Sequence, residues 1–492
     1  MTFHTRAVPA LAIPLAIALA FSAVTPSIAS TDHHDPRQDE PAAGSDDFSS
    51  EVLTSGLSDP FEIIYGPDSM LWVTERTSGE VTKVDPVDGT ATTILTIPDV
   101  LATPGEQDGL LGMVLHPDIL KGQDRDTLRD HNAVFLSYTY DGDPGDAIDR
   151  RQKIVRYTYD QSANTLDDPV ELISGLIASD DHNSGRLVLG PDGKLYYTIG
   201  DRGNNQDSNA CRPNLAQRLP TADEIAAGDW TAYQGKALRL NLDGSIPRRN
   251  PTLDGVRSHI FTYGHRNAQG LVFASNDLLY SSEQGPKSDD ELNRLERGGN
   301  YGWPFVAGYK DDSGYVFGDW SAAPGCGTTV PYDAFVIPDE VPQYQESSFD
   351  DPAFVQPLRT YYTVPSTHDF TGEACEPSGL FFICYPTIAP SSLDFYAMDA
   401  IPGWQDSFLM PTLKDGTVYR VELNDDDIVG DSEPLWTSVN RYRDTAIESN
   451  GTTIYVATDS AGLARGTDGD ATTELEDPGS ILVFRYDGTV GD

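Results

Sequence analysis

Four stretches far apart in the chain share one pattern: "IIYGPDSMLWVTERTSG", "RLVLGPDGKLYYTIGDRG", "GLVFASNDLLYSSEQG" and "AIESNGTTIYVATDSAG". Each runs from an apolar pair through a turn into a strand with an aromatic or bulky residue, and closes near an acid or a glycine. "AVFLSYTYDG" and "DSFLMPTLKDGTVYRVEL" add two more, so six strand-like cores centre near Trp72, Phe135, Tyr196, Tyr280, Phe408 and Tyr455. All alternate apolar with polar residues between Gly, Pro, Asn or Asp, as strands bounded by turns do. Helical period is weak throughout, and "TADEIAAGD" is the best short helix candidate. The cores recur at intervals of about 45 to 130 residues, the widest between Tyr280 and Phe408. Recurrence on this scale in an all-β chain predicts a six-bladed β-propeller of four-stranded blades, with long loops on one face. A large β-sandwich is the alternative, and six recurrences favour the propeller. Loops from every blade converge at one end of the axial channel, so His182, Arg266 and Arg441 can meet there.

The termini set the boundaries. Residues 1–29 combine a weakly basic start, "MTFHTR", an apolar run and small residues at Ser27 and Ala29, the pattern of a secretory signal peptide. A membrane anchor is the competing reading, but the run holds Pro9 and Pro14 and falls short of the ~20 residues a span needs. Residues 30–50 are polar and acidic and read as a disordered linker, leaving 51–492 as one propeller domain. The expected location is therefore outside the cytoplasm, periplasmic or extracellular, with no membrane span.

Charge excludes one class of partner. A formal net charge of -44 repels phosphate, so a nucleic-acid binder is ruled out. With eight lysines in the whole chain, cations that meet an anionic ligand must be few and deliberately placed. The four cysteines, Cys211, Cys326, Cys375 and Cys384, lie in an exported chain where disulfides persist, and they allow three connectivities. The short loop between Cys375 and Cys384 favours that pair. No C-x-x-C spacing points to zinc.

Several polar clusters carry chemistry. "SDDHNSG" sets His182 between acids and small polar residues, and "IGDRGNNQ" brings Asp201 nineteen residues later. "YGHRNAQG" places Arg266 and Asn267 just after a strand, and "SEQGPKSDDE" presents Gly285 and Pro286. "NRYRD" puts Arg441 and Arg443 two apart, hence on one face if extended. Together with Lys414 in "TLKDG", these arginines suit a polyanionic ligand, since guanidinium forks grip carboxylates bidentately.

These clusters, with "YQGKALRLNLDGSIP", "GGNYGWPFVAGYKDDSGY" and "ICYPTIAPSS", follow the order found in the soluble quinoprotein glucose dehydrogenases. The chain thus resembles the glucose/sorbosone dehydrogenase family, from about Leu53 to Tyr486. The resemblance implies a six-bladed propeller that holds pyrroloquinoline quinone (PQQ) and calcium and oxidises aldoses to lactones, with electrons passed to an external acceptor. It makes His182 the general base, Asp201 the carboxylate that orients it, and Arg266 the cation beside the quinone. Asn267, Thr387, Lys414, Arg441 and Arg443 match cofactor-binding positions. Gln107, Asp181, Gln206, Phe382 and Tyr385 match the sugar side of the pocket. Gly285 and Pro286 match the carbonyls that hold the cofactor's calcium. Glu291, Tyr301, Ala307, Tyr309, Asp311 and Glu346 match a second, structural calcium at a homodimer contact.

The chain also departs from the family pattern. Phe382 and Tyr385 stand where the family has tyrosine and tryptophan, Arg202 and Asn204 where it has glutamine and arginine, and Ala268 where it has proline. Ser321 to Asp350 diverges throughout. These changes touch the pocket wall and leave the reacting residues in place. Two further classes share the propeller: a calcium-dependent lactonase or esterase, and a non-enzymatic binding propeller. Fold alone does not separate the three.

Overall fold

The computed structural model describes residues 42–120, 131–143, 145, 147–371, 381–424 and 429–488. The expected signal peptide, and residues 30–41 of the expected linker, lie outside the described residues. The linker ends earlier than expected: Ser45–Asp47 is a 3-10 turn and Phe48–Thr54 is already a strand.

Among the described residues, six four-stranded antiparallel sheets form the blades, beside three two-stranded ribbons. Blade 1 begins with Pro60–Tyr65, blade 2 with Leu110–Leu115, blade 3 with Ser184–Leu189, blade 4 with Ala268–Phe273, blade 5 with Asp394–Tyr396 and blade 6 with Tyr442–Ile447. These first strands contact one another in sequence order, and that of blade 6 returns to that of blade 1, so the ring closes. Blades 1 to 5 take all four strands from consecutive sequence, whereas Phe48–Thr54 supplies the outermost strand of blade 6 beside Ile481–Tyr486. Joining the two ends of the chain in one sheet locks the ring, which is why Phe48–Ser50 is a strand and not linker.

The six aromatic centres all fall on the second strands and all are buried. These strands are covered on both faces, so alternate residues enter opposite interfaces. In Ala133–Asp141, Phe135 packs towards blade 3 while Val134 and Leu136 pack towards blade 1. Six apolar clusters result, one in each gap between neighbouring blades. The helix expected in "TADEIAAGD" is present as Ala222–Ala227, capped by reciprocal bonds between Thr221 and Glu224 and ended by Gly228 at φ +67°.

The axis is polar. Arg186, on the first strand of blade 3, crosses it to reach three other blades and the loop entering blade 5. Its Nε donates to the Gln269 carbonyl (2.9 Å) and its Nη2 to the Ser391 carbonyl (3.0 Å). Its Nη1 meets Glu62 at 2.7 Å and Asp444 at 3.3 Å, and its plane lies over the Phe61 ring. Blades 2 and 3 approach closely here, since a Cβ on Gly112 would lie 2.5 Å from the Gly185 carbonyl oxygen. The wide gap between Tyr280 and Phe408 is an insertion in blade 4, between Asp290–Leu295 and Arg359–Tyr361. Part of that insertion walls the candidate site.

Candidate active site

His182 stands on the loop between the last strand of blade 2, Thr165–Ile177, and the first of blade 3. Its φ of +46° is sparsely populated by any side-chain-bearing residue, and such conformations persist where the surroundings over-determine them. Asp201 follows the second strand of blade 3, and Gly200 before it packs so closely that a Cβ would lie 2.0 Å from the His182 carbonyl oxygen. The His182 Nδ1 and Asp201 Oδ1 are 2.7 Å apart. Asp201 is fully buried, and its second oxygen accepts from Trp303 Nε1 (2.7 Å), Asn214 Nδ2 (2.9 Å) and Gln206 Nε2 (3.3 Å). Burial alone would raise this carboxyl, but His182, Arg266 and the Gly203 N–H outweigh it and hold Asp201 below the usual aspartate range. With Nδ1 tied to a carboxylate, Nε2 is the nitrogen left to take a proton.

Gln206, matched to the sugar side of the pocket, joins Asp201 to Arg266: its Oε1 accepts from the guanidinium at 2.7 Å. Arg266 also donates to the Gln284 carbonyl (3.1 Å) and lies over the Trp303 ring at 5.5 Å. Gln107 and Asp181 are bonded to each other at 2.5 Å, and Asp181 lies 3.6 Å from His182 Nε2. Asn267 is within 3.4 Å of Gln107 and 3.2 Å of Gln284, so loops of blades 2, 3 and 4 converge as the propeller reading requires.

Buried Asp290 gathers the cofactor-side residues. It accepts from the N–H groups of Gly285, Ile388 and Ala389, all at 2.7 Å, and so fastens Gly285–Pro286 to the loop that carries Thr387. Lys414 donates to Thr387 and to the carbonyls of Tyr385 (2.8 Å) and Phe382 (3.4 Å). Burial pulls its ammonium well below the usual lysine range, with Asp290 opposing. Arg441 and Arg443 do share one side, but both grip buried Asp459, at 2.9 and 2.7 Å. Burial acting on Asp459 is outweighed by the two arginines, which hold it at about 2. The arginine pair is thus already neutralised in part within the protein.

Of the residues matched to a second metal, Glu291, Ala307, Asp311 and Glu346 meet along one stretch of backbone. Glu346 accepts from the N–H groups of Ala307 (3.0 Å), Asp312 (2.9 Å) and Asp311 (3.4 Å), and Glu291 accepts from Gly308 (2.7 Å). Burial pushes Glu346 up to about 7 and raises Glu291 well above its ordinary value. Tyr301 stacks on His265, and the Tyr309 hydroxyl donates to the Leu358 carbonyl (3.4 Å). Among the described residues, no three His, Cys, Asp or Glu side chains converge closely enough to hold a metal.

A cavity of about 460 Å³ opens beside Arg266, lined by Gln206, Pro286, Trp303, Phe382 and Tyr385. Its far wall is the divergent segment, which a disulfide between Cys211 and Cys326 ties to the loop after Asp201. Cys384 is also disulfide-bonded; its expected partner Cys375 lies outside the described residues. Sequence reasoning missed Trp303, Asn214, Asp290 and Asp459. Trp303 stood inside "GGNYGWP", Asp290 inside "SEQGPKSDDE" and Asp459 inside "AIESNGTTIYVATDSAG", but each took its partner from tertiary contact; Asn214 stood in no quoted motif.

A six-bladed propeller with a buried His–Asp pair and a guanidinium at its loop end defines a class, and comparison with known proteins narrows it. The family model for glucose/sorbosone dehydrogenase matches residues 57–356 and 359–465, and the chain belongs to that family. It is 43% identical over 451 residues to quinoprotein glucose dehydrogenase B of Acinetobacter calcoaceticus, covering 90% of this chain and 92% of that one. It is 27% identical over 412 residues to an aldose sugar dehydrogenase of Escherichia coli, covering 83% and 89%. The PQQ-bound aldose sugar dehydrogenase from Streptomyces coelicolor shares the fold, with TM-score 0.58 and 22% identity over 91% of this chain and 99% of that one.

Proposed function

We propose that the protein is a PQQ-dependent aldose dehydrogenase that oxidises glucose and related sugars at C1 to the lactone. One observation carries this: the His182–Asp201 pair and Arg266 open on the same loop cluster as Gly285–Pro286, Thr387 and Lys414. The residues fit the cofactor. Lys414 is a buried ammonium whose depressed pKa marks a place where an anion is favoured, and Arg266 and Asn267 supply donors on the other side. Backbone carbonyls at Gly285 and Pro286 are hard oxygen donors of the kind calcium takes. A lactonase would leave this donor set without an anion to bind.

PQQ, when bound, supplies the acceptor for the hydride that leaves C1. The protein's own part is to move a proton and fix positions. His182 Nε2 takes the anomeric hydroxyl proton, and Asp201 stabilises the imidazolium across the 2.7 Å contact with Nδ1. Asp181 and Gln107 border this nitrogen and orient the sugar. Arg266 fixes positive charge where negative charge develops.

Export to the periplasm or beyond, electron transfer to an external acceptor, and a homodimer about the Glu291–Glu346 cluster complete the proposal. A disulfide between Cys211 and Cys326 is consistent with an oxidising compartment, and among the described residues no helix is long and apolar enough to cross a membrane. The test is to add PQQ and Ca²⁺ to purified apoprotein and follow dye reduction with aldoses. Sugar-dependent reduction that needs both additions is expected, and its absence overturns the assignment. Light scattering with and without calcium tests the dimer.

A further inference from the structure

We propose that Trp303 is a positioning residue that couples the acid–base pair to Arg266, its indole N–H fixing Asp201 while its ring carries the guanidinium. The inference rests on the proposed role of His182 as base. Its geometry stands apart from any bound group.

The two oxygens of Asp201 have separate tasks. Oδ1 accepts from His182 Nδ1 (2.7 Å) and Gly203 N (2.9 Å), and Oδ2 accepts from Trp303, Asn214 and Gln206. The Trp303 bond is the shortest on Oδ2, at 2.7 Å, and comes from a residue 102 positions away. The same indole lies under Arg266, 5.5 Å from ring centroid to guanidinium. A cation over an indole face is held electrostatically as well as by contact. Besides the backbone bond from the Asp201 N–H to the Arg266 carbonyl (2.7 Å), the two side chains are therefore joined twice, once through the Gln206 amide and once through Trp303.

The two bridges differ in stiffness. Gln206 is half-buried, faces the cavity and can rotate about its side-chain bonds. Trp303 is held on more sides: its backbone N–H donates to the Gly264 carbonyl (3.0 Å), its carbonyl accepts from Gln217 (2.8 Å), and its buried ring packs on Tyr315. The backbone bond ties the two chains, and a sugar that draws Gln206 away leaves Trp303 as the bridge between the two side chains.

The N–H also tunes His182. Donors on Oδ2 share the carboxylate charge, so less of it is available to hold a proton on the imidazole. The charged groups facing this pair are Asp181 and Arg266, and the Tyr315 phenol lies behind the indole. Trp303→Phe keeps the ring under Arg266 and removes the N–H. With that donor gone, more of the Asp201 charge faces the imidazole and favours its protonated form.

Two readouts test this. Imidazole NMR of wild-type and Trp303→Phe apoprotein gives the His182 pKa without cofactor or sugar, so it reports whether or not the dehydrogenase assignment holds. The acid limb of kcat against pH, measured on the PQQ-loaded enzyme, should move to higher pH by the same amount. A variant that loses activity equally at every pH, with an unshifted His182 pKa, would show Trp303 to be packing only and overturn the proposal. Should Trp303→Phe not fold, the wild-type indole resonances decide. The Trp303 N–H should lie downfield of the other five tryptophans and move upfield in Asp201→Asn. No such shift overturns the proposal equally.

Discussion

Replacing Arg186 by methionine tests whether the axial guanidinium holds the ring of blades together. The side chain is 2% exposed and meets Glu62 and Asp444 while donating to carbonyls of blade 4 and of the loop entering blade 5. Removing one partner of a buried ion pair costs about 3–5 kcal/mol, because the other charge is left uncompensated. For a folded chain of roughly 440 residues the unfolding entropy is about 0.9 kcal/mol/K, so the melting temperature should fall by roughly 3–5 °C. The loss should also depend on pH in a fixed direction. Burial raises Glu62, Asp394 and Asp444 above their ordinary values, and Arg186 pulls all three back. Without it their folded pKa values rise further. A carboxyl whose folded pKa lies above its unfolded value stabilises the protein at low pH, and that contribution is lost as pH rises through the folded pKa. Calorimetry of wild type and Arg186→Met at pH 5 and pH 8 should therefore show the larger deficit at pH 8. Adding Glu62→Gln, which removes one of the stranded charges, should recover part of it. Melting within about 1 °C of wild type at pH 8, or an equal deficit at both pH values, would refute the reasoning.

Other outcomes follow from the site. His182→Asn should leave PQQ affinity largely intact and lower kcat by roughly 10²–10⁴-fold, with Asp201→Asn costing less on the same step; stopped-flow reduction of bound PQQ separates the two effects. PQQ binding to apoprotein at pH 8 should take up protons, because burial lowers Lys414 to about 7 and an anion beside it restores the ammonium. Calorimetry in buffers of different ionisation enthalpy reads this, and no buffer dependence would count against it. Reducing or removing the Cys211–Cys326 bond, which spans 115 residues, should lower the unfolding free energy by about 2–4 kcal/mol and loosen the cavity wall, read as a higher KM for sugar. With Phe382 and Tyr385 at the cavity, kcat/KM for glucose should not exceed that for galactose, xylose and maltose by more than ~100-fold, about 2.7 kcal/mol.

Much of this protein is legible in its sequence because propeller blades are local objects. A strand buried on both faces needs only its neighbours in sequence, so alternation around Trp72, Phe135 or Tyr455 marks the blade wherever it lies in the ring. The pairing of His182 with Asp201 is nearly as local, nineteen residues across one strand pair of blade 3. Which polar side chains meet across the ring is another matter. Arg186 reads as an ordinary strand residue until ring closure brings Glu62 and Asp444 to it, 124 and 258 positions away. Arg441 and Arg443 read as free cations until Asp459 from the next strand takes both. The indole of Trp303 and the partner of Cys211 come from the blade 4 insertion, whose path no local pattern encodes. Local alternation sets strands and blades, whereas the partner of a buried charge is set by which loops the closed ring brings to its axis.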